Sequence, residues 1–262
     1  MNTIILTAAF VIFVYVNFVH LVALLKKDNG IMDGAWGTGF VLVALFTFGL
    51  SDGLDARRLL LAALVFVWGV RLSLHILIRN AGRTEEDFRY RNWRETWGRW
   101  FYVRSYFQIY MLQGTVMFFV CTPILLVNAR RDGPLGLLDA LGCGIWLLGF
   151  FFEAVGDYQL LRFTCNPANK GKVMRYGVWR LTRHPNYFGE ATLWWGCFLI
   201  ALNVPGGWWA LISPVLIDFL LLRVSGIPML EAKYKDRPEY QEYQRTTSAF
   251  FPRFSKKLGH GA

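Results

Sequence analysis

The segment RLTRHPNYFGE, residues 180–190, sets Arg180, Arg183 and His184 directly before Pro185 and places Asn186, Tyr187 and Glu190 behind it at helical spacing. Proline has no N–H and a fixed φ, which suits the first turn of a helix, so the pattern predicts a helix that starts at Pro185. The free N–H groups of that start, among three basic side chains, make an anion site suited to phosphate or carboxylate. A basic stop at the membrane edge accounts for the cations but not for the Asn, Tyr and Glu interleaved with them. Upstream, Glu153 and Asp157 stand one turn apart, followed by Arg162 and Asn166. Acids beside a basic cluster hold ribose hydroxyls or neutralise the arginines, and both readings stand.

A second constellation lies in FVWGVRLSLHILIRN, where Trp68, Arg71, His75 and Arg79 recur every three or four residues and share one helical face. Arg and His inside an apolar helix are costly and must face a partner or a wet cavity. The options are a structural ion pair, with Asp33 or Glu153, or a functional role; Arg79, at the helix end, snorkels. Asp33, within DGAWG, is either a helix N-cap or the carboxyl best placed for proton work. Asp218, in another apolar run, reads as a packing or pairing residue. GxGxxG, P-loop, GxSxG and HExxH patterns are absent. Four cysteines, far apart, fit neither a disulfide framework nor a CxxC site, so no metal centre is expected.

The elements that must position these residues are membrane helices. Of 262 residues, 55% are hydrophobic, an excess over globular averages that has to face lipid. Apolar runs at 3–25, 36–50, 59–78, 106–127, 136–156, 191–203 and 207–222 predict an all-α polytopic bundle of about seven transmembrane helices, the second and sixth of them short. The net charge of +10 does not point to nucleic acid. Lys and Arg alternate between rich and poor loops, which by the positive-inside rule puts the N-terminus outside and the C-terminus in the cytoplasm. Basic loops serving topology and lipid headgroups explain most of that charge. With no repeat or flexible linker, residues 1–262 read as one membrane domain. Three polar segments face the cytoplasm: GRTEEDFRYRNWRETWGRWFYVR, amphipathic at the interface; the long loop after the fifth run; and a tail with a short helix that folds back under the bundle.

Taken together, GVWRLTRHPNYFGE, WWG, ISP, VSGIPMLE and PEYQEYQRTTSAFFP closely resemble the membrane-embedded steroid 5-alpha-reductase family, in its bacterial branch. The resemblance runs from DGAWG to the tail and is densest over 157–252. It implies seven transmembrane helices and NADPH held at the cytoplasmic face of a bacterial inner membrane. It implies hydride transfer to the carbon beta to the ketone of a 3-oxo-delta-4 steroid or related lipophilic enone. Carried over by position, the cofactor set would be Asp157, Arg162, Asn166, Arg180, Arg183, His184, Asn186, Tyr187 and Glu190, with Arg223, Glu231, Tyr240 and Tyr243 from the last helix and tail. The implied catalytic set is Asp33, Trp68, Arg71 and His75. Asp33 donates to the carbonyl, His75 is the alternative donor, and Trp68 is a wall for a flat substrate. Residues 1–105 would line the substrate cavity and 136–255 would form the cofactor site. The chemistry agrees: a dinucleotide with three phosphates needs several cations, and Arg suits the 2′-phosphate.

Two other readings compete. RHPNYFGE also resembles the RHPxYxG motif of isoprenylcysteine carboxyl methyltransferases, which bind S-adenosylmethionine; that cofactor has no phosphate and no need of Arg162, Arg180 and Arg183 together. A non-catalytic sterol or lipid binder is the third, against which Asp33 and His75 argue. The expected partners are a lipophilic substrate and membrane lipids.

Overall fold

A computed structural model describes residues 1–51, 53–81, 86–130 and 133–253. Among them every regular element is helical: α1 (Asn2–Lys26), α2 (Ile31–Gly49), α3 (Ala56–Asn80), α4 (Phe88–Trp97), α5 (Phe101–Ser105), α6 (Leu112–Val120), α7 (Thr122–Asn128), α8 (Leu137–Cys165), α9 (Pro185–Ala201), α10 (Ile212–Phe219), α11 (Ile227–Tyr234) and α12 (Pro238–Thr246). Short 3₁₀ turns and two π-helical stretches, Tyr106–Met111 and Leu220–Val224, join some of them. Of the interface segment GRTEEDFR, residues 82–85 lie outside the described residues.

Among the described residues, five helices are long and apolar enough to cross a membrane: Asn2–Lys26, Ile31–Gly49, Ala56–Asn80, Leu137–Cys165 and the continuous run Gly207–Tyr234. A sixth is reached if Arg89–Val120 and Thr122–Asn128, bent by 50° at Cys121, form one span. Pro123 in the first turn of α7 accounts for that break. The count of seven is thus corrected to five or six. The difference is α9, whose 17 residues cover only about 26 Å, short of the ~30 Å hydrocarbon core. The outward side chains of α1 fit a lipid-facing helix, with Leu6, Phe10, Phe18 and Leu25 exposed. Of the cysteines, Cys121 and Cys197 are buried, whereas Cys165 is exposed.

The chain divides into two compact units, Met1–Leu141 with Cys197–Ser213, and Gly142–Gly196 with the chain from Pro214 onward. In the first unit α2 and α3 cross at glycines. A Cβ on Gly37 would lie 2.3 Å from the Gly69 carbonyl oxygen, and one on Gly69 would lie 2.5 Å from that of Gly37. The Thr38 N–H reaches the Ser73 hydroxyl at 3.0 Å across the same crossing. Gly37 belongs to α2, which starts five residues before the apolar run that announced it. Near the other ends of these helices Asp55 caps α3 by accepting from the N–H groups of Arg57 and Arg58. Arg57 grips Asp139 through Nε and Nη2 at 2.8 and 2.9 Å, with both side chains 3% exposed.

In the second unit α8 and α9 run together on paired glycines. Cβ atoms on Gly149 and Gly189 would meet opposing backbone at 2.5 and 2.4 Å, and one on Gly196 would meet the Gly142 carbonyl oxygen at 2.6 Å. Such contact admits no side chain at all. Gly189→Ala is expected to cost about 1–3 kcal/mol through overpacking and to lower the thermal midpoint in detergent. Gly144→Ala, in the same pair but with open space at its Cβ, should be neutral or stabilising by up to about 1 kcal/mol. Equal midpoints for Gly189→Ala and wild type would remove this contact from the account.

Candidate functional site

Each unit gathers one polar cluster. In the first, Asp33 lies in the first turn of α2, whose N-cap is Gly30, so Asp33 is not the cap. Its carboxylate accepts from two donors on α4: Arg89 Nη2 at Oδ2, and the Tyr90 hydroxyl at Oδ1, 2.8 Å away. Arg89 is held in turn by Asp87, which caps α4 and accepts from Arg89 Nε at 2.9 Å. A carboxyl facing a guanidinium acts as an acceptor, so here Asp33 is an anchor for the donors around it.

Beside this pair runs a second network. Glu86 accepts from Arg94 at 3.1 and 3.0 Å and from the backbone and side-chain N–H groups of Asn29 at 3.0 and 3.1 Å. The Tyr110 hydroxyl completes it by donating to Asn29 Oδ1 at 2.8 Å, and the His20 ring rests on Tyr110 with centroids 4.5 Å apart. Burial raises the Glu86 pKa, but the bonds from Arg94 and Asn29 and the Arg94 charge outweigh it and hold the carboxyl below its usual range.

Of the other residues singled out on this side, Trp68 is fully buried, with its ring edge-on to Phe40 at 5.4 Å. Arg71 and His75, on the same helix, are half-buried. Arg79, exposed at the end of α3, bonds Asn80. The sequence reading does not single out Arg89, Tyr90, Glu86 and Arg94, because EDFRYRNWR has the pattern of one amphipathic stretch, nor Asn29 and Tyr110, which join them only through the fold. The available signal was a lone acid in DGAWG that needed a cation, with Arg89 and Tyr90 adjacent in that stretch.

In the second unit α9 does begin at Pro185, and the turn before it meets the tail. Arg183 bonds Glu231 Oε1 through Nε and Nη2 at 2.9 and 2.6 Å, and His184 Nε2 lies 3.2 Å from the same oxygen. Gln244 Nε2 donates to the other Glu231 oxygen at 3.0 Å. The His184 ring stacks on Tyr187, with centroids 5.6 Å apart and planes within 12°. Asn186 donates to Asp157 at 3.2 Å, which ties α9 to α8. Asp157 and Glu153 are buried inside α8 and do not sit at its end, because the helix runs on to Cys165 before Pro167 stops it.

Tyr240 and Tyr243 are buried on α12, and the Tyr243 hydroxyl donates to the Trp179 carbonyl. Burial, then the Glu231 charge, push the Tyr240 hydroxyl up to about 12, and burial, then Tyr240, raise Tyr243 as well. Both therefore stay neutral donors at physiological pH.

The structure thus brings Arg183, His184, Glu231, Asn186, Asp157, Tyr187, Tyr240 and Tyr243 into bonded or stacked contacts within one unit. It leaves Arg162, Asn166, Arg180 and Arg223 exposed, with Glu190 half-buried on α9. Arg162 touches Tyr158, Asn166 caps the turn Pro167–Asn169, and Arg180 and Arg223 make no hydrogen bond or ion pair among the described residues.

The model of a family described as "Protein of unknown function (DUF1295)" matches residues 19–247. An uncharacterized protein of Schizosaccharomyces pombe (strain 972 / ATCC 24843) is 24% identical to this chain, over 92% of this chain and 77% of its own length. No solved structure matches.

The Glu86 network generates a pH dependence of known sign. Because its folded pKa is depressed, its contribution to stability is present above the ordinary glutamate range, about pH 4.3, and is lost as pH falls through the folded value. Glu86→Gln should melt a few degrees below wild type at neutral pH, for a bond set worth about 1 kcal/mol. That gap should close in acid; a gap that stays constant would show that the charge of Glu86 does not matter.

Proposed function

This chain belongs to the DUF1295 family, which is steroid 5-alpha-reductase-like, and on that premise we propose that it is an NADPH-dependent membrane reductase. Its substrate on this reading is the C=C bond of a 3-oxo-delta-4 steroid or a similar lipophilic enone. The observation that carries the proposal is the Tyr90 hydroxyl, held by Asp33 with Arg89 behind it inside a unit of apolar helices.

The donor set of the second unit fits a phosphorylated dinucleotide. Arg162, Arg180 and Arg223 are exposed guanidinium groups, and Lys170 and Lys172 add ammonium groups on the loop between α8 and α9. The His184–Tyr187 stack offers an aromatic face. Asp157 with Asn186 suits ribose hydroxyls. Bound NADPH would supply the hydride for the beta carbon.

The remaining steps belong to this chain's own residues. As hydride arrives, the C=C electrons move toward the ketone oxygen, which gains negative charge and needs a hydrogen-bond donor placed in advance. The Tyr90 hydroxyl fills that role by turning from Asp33 Oδ1 to the substrate oxygen, while Arg89 keeps the Asp33 carboxylate satisfied. The alpha carbon then takes a proton, so the product has gained one hydride and one proton. His75, half-buried on α3, is the chain's second donor for that step. In this reading residues 1–105 serve the substrate and 136–255 the cofactor, at the cytoplasmic face of a bacterial inner membrane.

The test is NADPH consumption by purified protein in detergent with progesterone or testosterone, with products weighed by mass spectrometry. Tyr90→Phe is expected to lower kcat about a hundredfold with NADPH affinity unchanged, and Asp33→Asn is expected to lower turnover less. Enone-independent NADPH oxidation, or tight adenosylmethionine binding with none of NADPH, would end the reductase reading; full activity in Tyr90→Phe would reassign the donor.

A further inference from the structure

Arg183 sits in the motif that most resembles an anion site, yet its guanidinium points into the protein. The side chain is 10% exposed. Its hydrogen bonds include two to Glu231 Oε1 and two from Nη1 to the carbonyl oxygens of Gln244 and Thr247. Its backbone N–H donates to the Ser248 carbonyl at 2.8 Å. The seam continues on both sides. The Thr182 hydroxyl donates to the Ala249 carbonyl at 3.1 Å, and the Arg253 N–H to the Leu181 carbonyl at 2.8 Å. Arg180, three residues upstream on the turn Gly177–Arg180, is exposed and carries no such bond among the described residues.

We propose that Arg183 is a positioning residue. It clasps α11 and residues 244–253 to the turn before α9, sets His184 and Tyr187 at the helix start, and leaves phosphate contact to Arg180. The inference rests on the nucleotide-binding reading above for its kinetic consequence and on the bond pattern alone for the clasp. A planar guanidinium satisfies one carboxylate and two carbonyls in fixed directions at once. An ammonium group matches the charge but not the fork. Lysine would therefore largely replace a phosphate-binding arginine but not a clasping one.

The experiment uses the full chain in detergent and compares Arg183→Lys, Glu231→Gln and Arg180→Ala with wild type. Chymotrypsin reports the clasp, because Phe250 lies in the clasped segment and Tyr243 directly precedes it. Cleavage there should be about tenfold faster in Arg183→Lys and Glu231→Gln, as expected when about 1.4 kcal/mol of local stability is removed, and at the wild-type rate in Arg180→Ala. In Arg183→Lys the KM values for NADPH and NADH should rise together, about tenfold, with kcat changed less. In Arg180→Ala the KM for NADPH alone should rise.

Wild-type cleavage rates in both Arg183→Lys and Glu231→Gln would overturn the clasp, as would a rise in Arg183→Lys confined to NADPH. Should Arg183→Lys fail to fold, Glu231→Gln carries the same comparison by removing only a charge. If wild type oxidises neither nucleotide, the reductase reading fails, while the cleavage rates still judge the clasp.

Discussion

A charge among apolar helices must bring its partner with it, and this constraint organises both units. The cost of removing an unpaired ion from water is several kcal/mol, and deleting one member of a buried pair typically costs about 3–5 kcal/mol. In the first unit Arg57 therefore meets Asp139 at one pole of α3, and Asp33 meets Arg89 at the α2 start. In the second, Arg183 meets Glu231. Each pair joins segments far apart in sequence. The pairs thus act as registry marks, since a slipped helix would leave two charges without partners.

Glycine supplies the complementary constraint. Gly142 and Gly149 are seven residues apart on α8, as are Gly189 and Gly196 on α9, and Gly142 faces Gly196 as Gly149 faces Gly189. That order fixes the two helices as antiparallel, and a seven-residue spacing keeps the contacts on one face of each. Farther along the same seam Gly156 takes Pro185 against it, so the start of α9 is set by backbone contact before any polar bond forms. The Asp157–Asn186 bond and the Trp179 Nε1 bond to the Gly156 carbonyl, 3.0 Å, then become geometrically available. The same logic holds the Gly37–Gly69 crossing beside Trp68 and Ser73 in the first unit.

Much of this was legible in the residues. Pro185 after a basic turn marked a helix start correctly, and the tail does fold back, meeting residues 179–184. Helix lengths were less legible, because hydropathy reads apolar content and not helix-forming capacity. The sequence LLRFTC after Asp157 contains no breaker, so α8 continues two turns past its apolar run. Of the glycines of DGAWGTG, Gly34 and Gly37 face α3, whereas a Cβ on Gly39 would meet Met117, and none of this shows in the local pattern. Pairing was the least legible. Asp33 has several cations within plausible reach in sequence, and which one it meets is decided by how residues 86–90 return to α2, a long-range contact with no local periodicity.

The assignment of Arg183 also bears on why one phrase, RHPNYFGE, resembles motifs from enzymes with chemically different cofactors. If the arginine and histidine of that phrase gripped phosphate, the motif would have no use in a site for adenosylmethionine, which carries none. In this chain their polar atoms instead turn toward Glu231 and the tail carbonyls, where they shape the helix start. A motif whose cations work inward specifies a seat and leaves open what occupies it. On the proposed reading, discrimination falls to cations that face outward, among them Arg180, Arg223 and Arg162, at positions the shared phrase does not include or only borders. On this view the phrase specifies architecture, and the proposed phosphorylated cofactor would be held by the exposed guanidinium groups around it.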